Sequence, residues 1–120
     1  MKKRCYLVDE NTTPALADQL RRIQPKMTVK KIGDEETPPK GTSDPEILCW
    51  LECKGFSLVT QNRKSMPQHL KDHLEKGHHV QGIFTLRPKA FMKEVIDDLL
   101  LIWELAEHEE YRDQIVHIPL

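Results

Sequence analysis

Acidic and amide side chains follow two apolar segments of this chain, and they could hold a divalent cation. Asp9 and Glu10 come directly after the apolar run of residues 5–8, Asp44 opens a helical segment, and Asn62 follows a second apolar run. Ligands gather at the carboxyl ends of parallel strands, so these side chains could meet there. Converging carboxylates repel one another, and Mg²⁺ or Mn²⁺ relieves that repulsion and can generate hydroxide for phosphodiester hydrolysis.

Each of these residues also has an ordinary structural interpretation. Asp44 could simply cap its helix, as could the neighbouring Ser43. Asp9 and Glu10 could be turn residues with solvated carboxylates, and Asn62 could be a turn residue because asparagine tolerates left-handed backbone conformations. The residue types alone therefore leave both a metal site and a set of caps and turns open.

Polar and basic residues at the same predicted edge could contact the phosphates of RNA. Arg63 and Lys64 follow the second apolar run, which ends at Thr60, and Arg87 ends another predicted strand. Cations at such an edge hold phosphates even without a metal ion. The alternative is that they are solvated turn residues.

Two histidines, His69 and His73, lie one helical turn apart. A metalloprotease motif would need glutamate directly after the first histidine, where this chain has Leu70. The pattern therefore predicts a solvated helix face.

The spacing of apolar residues predicts that strands and helices alternate along the chain. Strands are predicted at residues 5–8, 27–32, 56–59, 80–86 and 115–118, and helices at 14–23, from about 44 to 54, at 66–76 and from after Pro88 to about 112. This order predicts an α/β fold with a largely parallel central sheet and helices on both faces. The last helix has a wide apolar stripe, which predicts a second surface such as a homodimer interface.

Three segments match a known pattern in order and spacing. They are residues 7–11 (LVDEN), 41–48 (GTSDPEIL) and 55–60 (GFSLVT), and together they resemble a bacterial PIN-like family of unknown function. The resemblance implies a three-layer α/β/α PIN-like domain related to metal-dependent ribonucleases. Such domains are often the toxin half of a toxin–antitoxin pair and commonly form dimers. It assigns Asp9 and Asp44 to the metal-binding acids, with Glu10 adjacent to them as a further metal ligand. In a ribonuclease built this way Asn62 would complete the site, so that Asp9, Asp44 and Asn62 are the catalytic candidates.

The third segment departs from the family pattern. The family continues Thr-x-Asp-x-Asp-Phe, whereas this chain has Asn62 and Lys64 at the two aspartate positions. Asn62 still offers a carbonyl oxygen, but the positive charge of Lys64 disfavours a nearby cation. Three interpretations follow: a ribonuclease using Mg²⁺ or Mn²⁺, a silent PIN-like module that binds RNA or a protein, and an unrelated α/β module. The last predicts that Asp9 and Asp44 lie far apart.

Composition sets the remaining expectations. A chain of 120 residues with a formal net charge of -1 has room for one domain and shows no overall preference for a polyanion. Its three cysteines and its short N-terminal apolar run predict a cytoplasmic protein with no membrane segment.

Overall fold

The computed structural model describes residues 3–120 and shows five strands in a single sheet. The strands are β1 (Cys5–Val8), β2 (Val29–Lys31), β3 (Phe56–Thr60), β4 (Ile83–Leu86) and β5 (Ile115–Ile118). Every pair of neighbouring strands is parallel, in the order β2-β1-β3-β4-β5. The predicted α/β fold with a parallel sheet is confirmed.

Four helices cover the two faces of this sheet. They are α1 (Pro14–Ile23), α2 (Asp44–Lys54), α3 (Met66–Glu75) and α4 (Met92–Leu105). One apolar core joins α1 and α4 to the sheet, and a second core joins α2 and α3 to it. The helices therefore form two layers around the sheet, which gives the predicted α/β/α arrangement.

The strand order places a topological switch point between β1 and β3. The chain moves outward from β1 to β2 in one direction, and from β1 through β3 to β5 in the other. Loops that leave two neighbouring strands on opposite faces open a crevice at their carboxyl ends, where open α/β sheets bind ligands. The residues after β1 and β3 are therefore the first place to look for a site.

Two predicted strand boundaries were wrong because neighbouring residues form turns. Residue 27 donates its backbone N–H to the carbonyl of Gln24, so β2 starts only at Val29. Val80 donates its N–H to the Asp113 carboxylate, and Gly82 has φ +111°, a turn conformation that delays β4 until Ile83.

The last helix is shorter than predicted because a buried arginine competes for its backbone. Helix α4 ends at Leu105, and Ala106 is already extended. The carbonyl oxygens of Glu107 and His108 accept hydrogen bonds from the Arg4 guanidinium at 2.9 and 3.2 Å. Those carbonyls are directed to Arg4, so the helix does not continue to residue 112.

Among residues 3–120, no helix is long and apolar enough to cross a membrane. The three cysteines are all free, with Cys49 and Cys53 exposed and Cys5 partly buried.

Candidate functional site

Asp9 and Thr60 meet because β1 and β3 are paired in register. Val8 lies beside Val59, so the next residue on each strand stands at the same level of the sheet. The Asp9 carboxylate is 5% exposed and accepts a hydrogen bond from the Thr60 hydroxyl at 2.7 Å. Its other oxygen accepts the backbone N–H of Glu10 at 2.8 Å. Both carboxylate oxygens of Asp9 are therefore bonded to protein donors.

Asn62 connects this pair to Asp44. Its backbone N–H donates to the Thr60 hydroxyl at 3.0 Å, and its side-chain amide Nδ2 donates to the Asp44 carboxylate at 3.0 Å. The Asn62 amide oxygen accepts the backbone N–H of Ser65 at 3.2 Å, which fixes the amide with its nitrogen toward Asp44. Asp9, Thr60, Asn62 and Asp44 form one hydrogen-bonded series, which we name the carboxylate chain.

Asp44 is available for this series because it does not cap its helix. Ser43 occupies the N-cap position of α2 with extended backbone, but neither predicted cap is seen, since no side-chain capping bond forms there. Pro45 fits the first turn, where a missing N–H costs nothing. The Asp44 carboxylate instead faces Asn62 and also lies 3.5 Å from Nε2 of His69.

The two histidines of α3 differ from the predicted solvated face. His69 is partly buried against Asp44, a contact that the spacing of apolar residues does not predict. His73 is 5% exposed, so its prediction was wrong. Its Nε2 lies 3.3 Å from Glu52 and 3.2 Å from the His79 carbonyl oxygen. These polar partners from α2 and the next loop explain how the ring can be buried.

Burial raises the pKa of the Asp9 carboxyl above its ordinary value of 3.8. The hydrogen bonds from Thr60 and the Glu10 N–H lower this pKa, the nearby charges of Asp44 and Glu10 raise it, and burial is the largest single influence. The two acids are joined through Thr60 and Asn62. They therefore do not lie far apart, contrary to what the interpretation as an unrelated α/β module predicted.

The other predicted residues are spread around this centre. The Glu10 carboxylate accepts the backbone N–H of Gly41 at 2.8 Å and so ties the long loop before α2 to the end of β1. Thr60 is fully buried, with its hydroxyl committed to the carboxylate chain. Arg63, Lys64 and Arg87 are exposed. Of the four predicted phosphate contacts, these three lie at the surface and Thr60 does not.

Open space at the site lies to one side of the carboxylate chain. A cavity of about 210 Å³ is bordered by Asp9, Glu10 and Thr12 on one side and by residues 31–34 on the other. Its lining includes neither Asp44 nor Asn62. The buried Thr12 hydroxyl has no hydrogen-bond partner there. The cavity therefore lies beside Asp9 and is not bordered by both acids.

These donors do not fit Mg²⁺ or Mn²⁺. Within the part of the chain that the structure describes, no group of three or more His, Cys, Asp or Glu side chains could hold a metal ion. Asn62 presents its N–H rather than its oxygen to Asp44, and each Asp9 oxygen already accepts one protein donor, which leaves only part of its accepting capacity for an ion. Hard cations need several free oxygen ligands, which this arrangement does not offer.

Comparisons with protein-family models, with curated proteins and with solved structures find no match to this chain. The class of protein is therefore defined by its own fold and site: a parallel α/β domain in which two acidic residues are joined through Thr60 and Asn62 at the switch point.

Replacing Asp9 with asparagine is expected to remove a contribution to stability that grows on acidification. Because the pKa of Asp9 is raised, the folded state holds this proton more tightly than the unfolded state. The contribution of Asp9 to the free energy of unfolding therefore rises as the pH falls toward 3.8, by at most about 1.4 kcal/mol per pH unit. In urea unfolding, the free energy of unfolding at pH 4.5 minus that at pH 7 should be more negative, or less positive, for Asp9→Asn than for wild type. Glu75→Gln, an exposed change on α3, should keep the wild-type difference; equal differences in all three proteins would contradict the prediction.

Proposed function

We propose that this chain is a PIN-like domain in which an internal hydrogen-bond chain stands in place of the divalent cation, and that it works as a binding module rather than as a nuclease. The observation that carries the proposal is the 3.0 Å hydrogen bond from the Asn62 amide to the Asp44 carboxylate. The resemblance of residues 7–11, 41–48 and 55–60 to the PIN-like family supplies the ancestry.

Two neighbouring carboxylates repel each other, so another group in the site must offset that repulsion. In a metal-dependent site the cation neutralises the repulsion between them. Here Thr60 donates to Asp9, while Asn62 donates to Asp44. Charge-assisted hydrogen bonds of this kind are about twice as strong as neutral ones, so they stabilise the pair without an ion. The exposed Lys64 adds a positive charge two residues from Asn62.

The second candidate function is a ribonuclease that uses Mg²⁺ or Mn²⁺, such as the toxin of a toxin–antitoxin pair. The closeness of Asp9 and Asp44 favours it, because a metal-dependent nuclease needs both acids at one point. In this function Asn62 would have to turn its oxygen toward the ion, which would break its bonds to Asp44 and Ser65.

Titration of Mn²⁺ into the purified protein distinguishes the two functions. We expect isothermal titration to show no binding up to about 1 mM Mn²⁺, the weak end of the range for protein sites of hard cations. The Asp9→Asn variant should give the same result as wild type. Saturable binding to wild type that disappears in Asp9→Asn would overturn the proposal and establish the nuclease site.

Helix α4 has an exposed apolar face that offers a contact surface for a partner of such a module. Leu101 and Leu105 are 52% and 72% exposed and lie four residues apart, so they share one helix face. We expect this face to pair with a second copy of the chain or with an antitoxin protein in the cytoplasm. Sedimentation velocity of the protein alone over a range of concentrations separates a homodimer from a monomer.

A further inference from the structure

Strand β5 is an open edge of the sheet. The carbonyl oxygens of Gln114 and Ile118 accept backbone N–H groups from the first residue of β4 and from the residue after its end, at 2.9 and 2.7 Å. Backbone groups of a strand point to alternate sides, so the N–H and C=O groups of Ile115 and His117 face away from β4. Among residues 3–120, none of these outward backbone groups has a hydrogen-bond partner. They are therefore available to another strand.

The opposite edge strand, β2, has most of its outward backbone groups paired. The Val29 carbonyl accepts a hydrogen bond from Nε of Arg21 at 2.8 Å, and the Lys31 N–H donates to the Asp34 carboxylate at 2.8 Å. The Lys31 carbonyl accepts the backbone N–H of Asp34 at 3.0 Å. Proteins blunt sheet edges in such ways, because an open edge is a template for pairing with another chain. Of the two edges of this sheet, β5 is therefore the one that is open to a further strand.

Apolar side chains flank β5 on the α3 face of the sheet. Pro67, Leu70 and Leu74 of α3 border an open groove of about 450 Å³ together with Ile115 of β5. Side chains alternate between the two faces of a strand, so a strand paired with β5 would place every second side chain at this groove. The groove therefore offers apolar contacts to a chain that extends the sheet.

The α4 face of the sheet also presents apolar residues near β5. The Asp98 carboxylate of α4 accepts the backbone N–H of Leu120, two residues beyond β5, at 2.6 Å. Leu101 and Leu105 come three and seven residues after Asp98, so they continue the same helix face. All three leucines are more than half exposed. Both helix layers are therefore apolar at the edge that β5 leaves open.

We propose that β5 pairs antiparallel with β5 of a second copy of this chain, about a two-fold axis perpendicular to the sheet. The inference rests on the proposed binding function and selects a second copy, rather than an antitoxin, for the exposed face of α4. A lone peptide strand would cover the open backbone groups but leave the leucines of α4 in water. A second copy brings a strand and both apolar layers, and a net charge of -1 causes little repulsion between the two copies.

The residues around β5 select one register for this pairing. Placing Ile115 opposite the partner's His117 forms two hydrogen-bonded pairs, with four hydrogen bonds between the copies. A register with Ile115 opposite itself would need the N–H of Asp113, which already donates to a backbone carbonyl of its own chain. A register with His117 opposite itself would need an N–H from Pro119, which has none. In the favoured register Val116 lies opposite its own copy, on the face of the core that α4 covers.

Sedimentation velocity of the full chain in EDTA, at concentrations up to about 0.2 mM, tests the pairing. We expect monomer and dimer with no larger species, because the dimer uses the open edge and β2 is largely closed. His117→Pro removes two of the four hydrogen bonds and should weaken dimerisation about thirtyfold. An edge strand tolerates this proline, because the N–H that it removes faces outward. His117→Val is the matched control: it removes the imidazole but keeps the N–H, so it should dimerise at least as tightly as wild type.

A disulfide cross-link tests the orientation of the two strands. Residues opposite each other in a non-hydrogen-bonded antiparallel pair have Cα atoms about 4.5 Å apart, a distance that a disulfide spans. In a background of Cys49→Ser with Cys53→Ser, Val116→Cys should form a disulfide-linked dimer under mild oxidation. Ile23→Cys in the same background is the control, because this exposed residue lies on α1, and it should stay monomeric on a non-reducing gel.

The outcomes separate this inference from the proposed function. A monomer at every concentration, with no cross-link through Val116→Cys, would overturn the inference, while the Mn²⁺ titration would still decide the metal-free module. A dimer that His117→Pro leaves unchanged would overturn pairing through β5. Saturable Mn²⁺ binding would overturn the metal-free module and leave the sedimentation result in EDTA unaffected.

Discussion

Arg4→Met is expected to lower the free energy of unfolding by about 4 kcal/mol, the largest stability effect of any single change considered for this protein. The Arg4 side chain is 2% exposed, and burial lowers the pKa of its guanidinium. It donates to Ser57 Oγ at 2.8 Å and to the Gln81 carbonyl at 2.6 Å. The guanidinium also lies over the rings of Phe84 and Tyr111, at 5.6 and 5.3 Å from their centroids.

The physical reason is that methionine fills similar space but removes four charge-assisted hydrogen bonds, to the Ser57 hydroxyl and to the carbonyls of Gln81, Glu107 and His108. The Gln81 carbonyl keeps the Ser57 hydroxyl and the Glu107 carbonyl keeps the Glu110 N–H, so the loss is that of the bonds to the cation, each about 1.5–3 kcal/mol. The residue therefore joins the start of β1 to the segments that precede β4 and β5.

Chemical denaturation measures this effect, with Arg22→Met as the matched control because Arg22 is exposed on α1. The control should change stability by less than about 0.5 kcal/mol. Arg4→Lys keeps the charge but reaches fewer acceptors, so it should fall between wild type and Arg4→Met. It also provides a measurable variant should Arg4→Met not fold. A stability for Arg4→Lys and Arg4→Met equal to that of the Arg22 control would show that the guanidinium network adds nothing.

Arg4 also shows why part of the fold could not be predicted from the sequence. In the sequence it belongs to a short basic N-terminus, and nothing local indicates burial. Its partners are 53 to 104 residues away, so they are known only once the sheet order is known. The end of α4 depends on the same contacts, which is why apolar spacing alone extended that helix to residue 112.

More of the site could be predicted from the sequence. Ligand sites lie at the carboxyl ends of parallel strands, so it is enough to know where each strand ends. That rule placed Asp9 and Asn62 at one edge, and the structure connects them through Thr60. The role of Thr60 follows from the register of β1 with β3, which the sequence does not specify. The contact between His69 and Asp44 depends on how α3 packs beside α2, and it could not be predicted for the same reason.

Introducing two acids beside the carboxylate chain is expected to change the response of the protein to metal. The double variant Asn62→Asp with Lys64→Asp places carboxylates at the positions where the PIN-like family carries aspartate. Without metal, we expect it to be about 2 kcal/mol less stable than wild type, because the Asn62 donor to Asp44 becomes a like charge. With Mn²⁺ at a hundred times its dissociation constant, about 2.7 kcal/mol should return.

Thermal unfolding in EDTA and in Mn²⁺ measures the loss of stability without metal and the gain with metal. Isothermal titration measures the binding of Mn²⁺ itself. Asn62→Leu with Lys64→Ala is the matched control, since it removes the same amide and ammonium without adding acids. It should lose stability in EDTA and gain none from Mn²⁺. Adding Asp9→Asn to the double variant should abolish the metal response, because Asp9 supplies one of the converging carboxylates.

The change in unfolding temperature on adding Mn²⁺ tests whether the carboxylate chain stands in place of a cation. A rise in unfolding temperature with Mn²⁺ in the double variant alone would mean that the backbone still holds the geometry of a cation site, and that Asn62 and Lys64 closed it. No rise in the double variant would mean that Asp9 and Asp44 are placed for hydrogen bonding and not for an ion. In that case the replacement of a cation by a hydrogen bond would no longer explain this site, and the acidic pair would have to be understood through its stability alone.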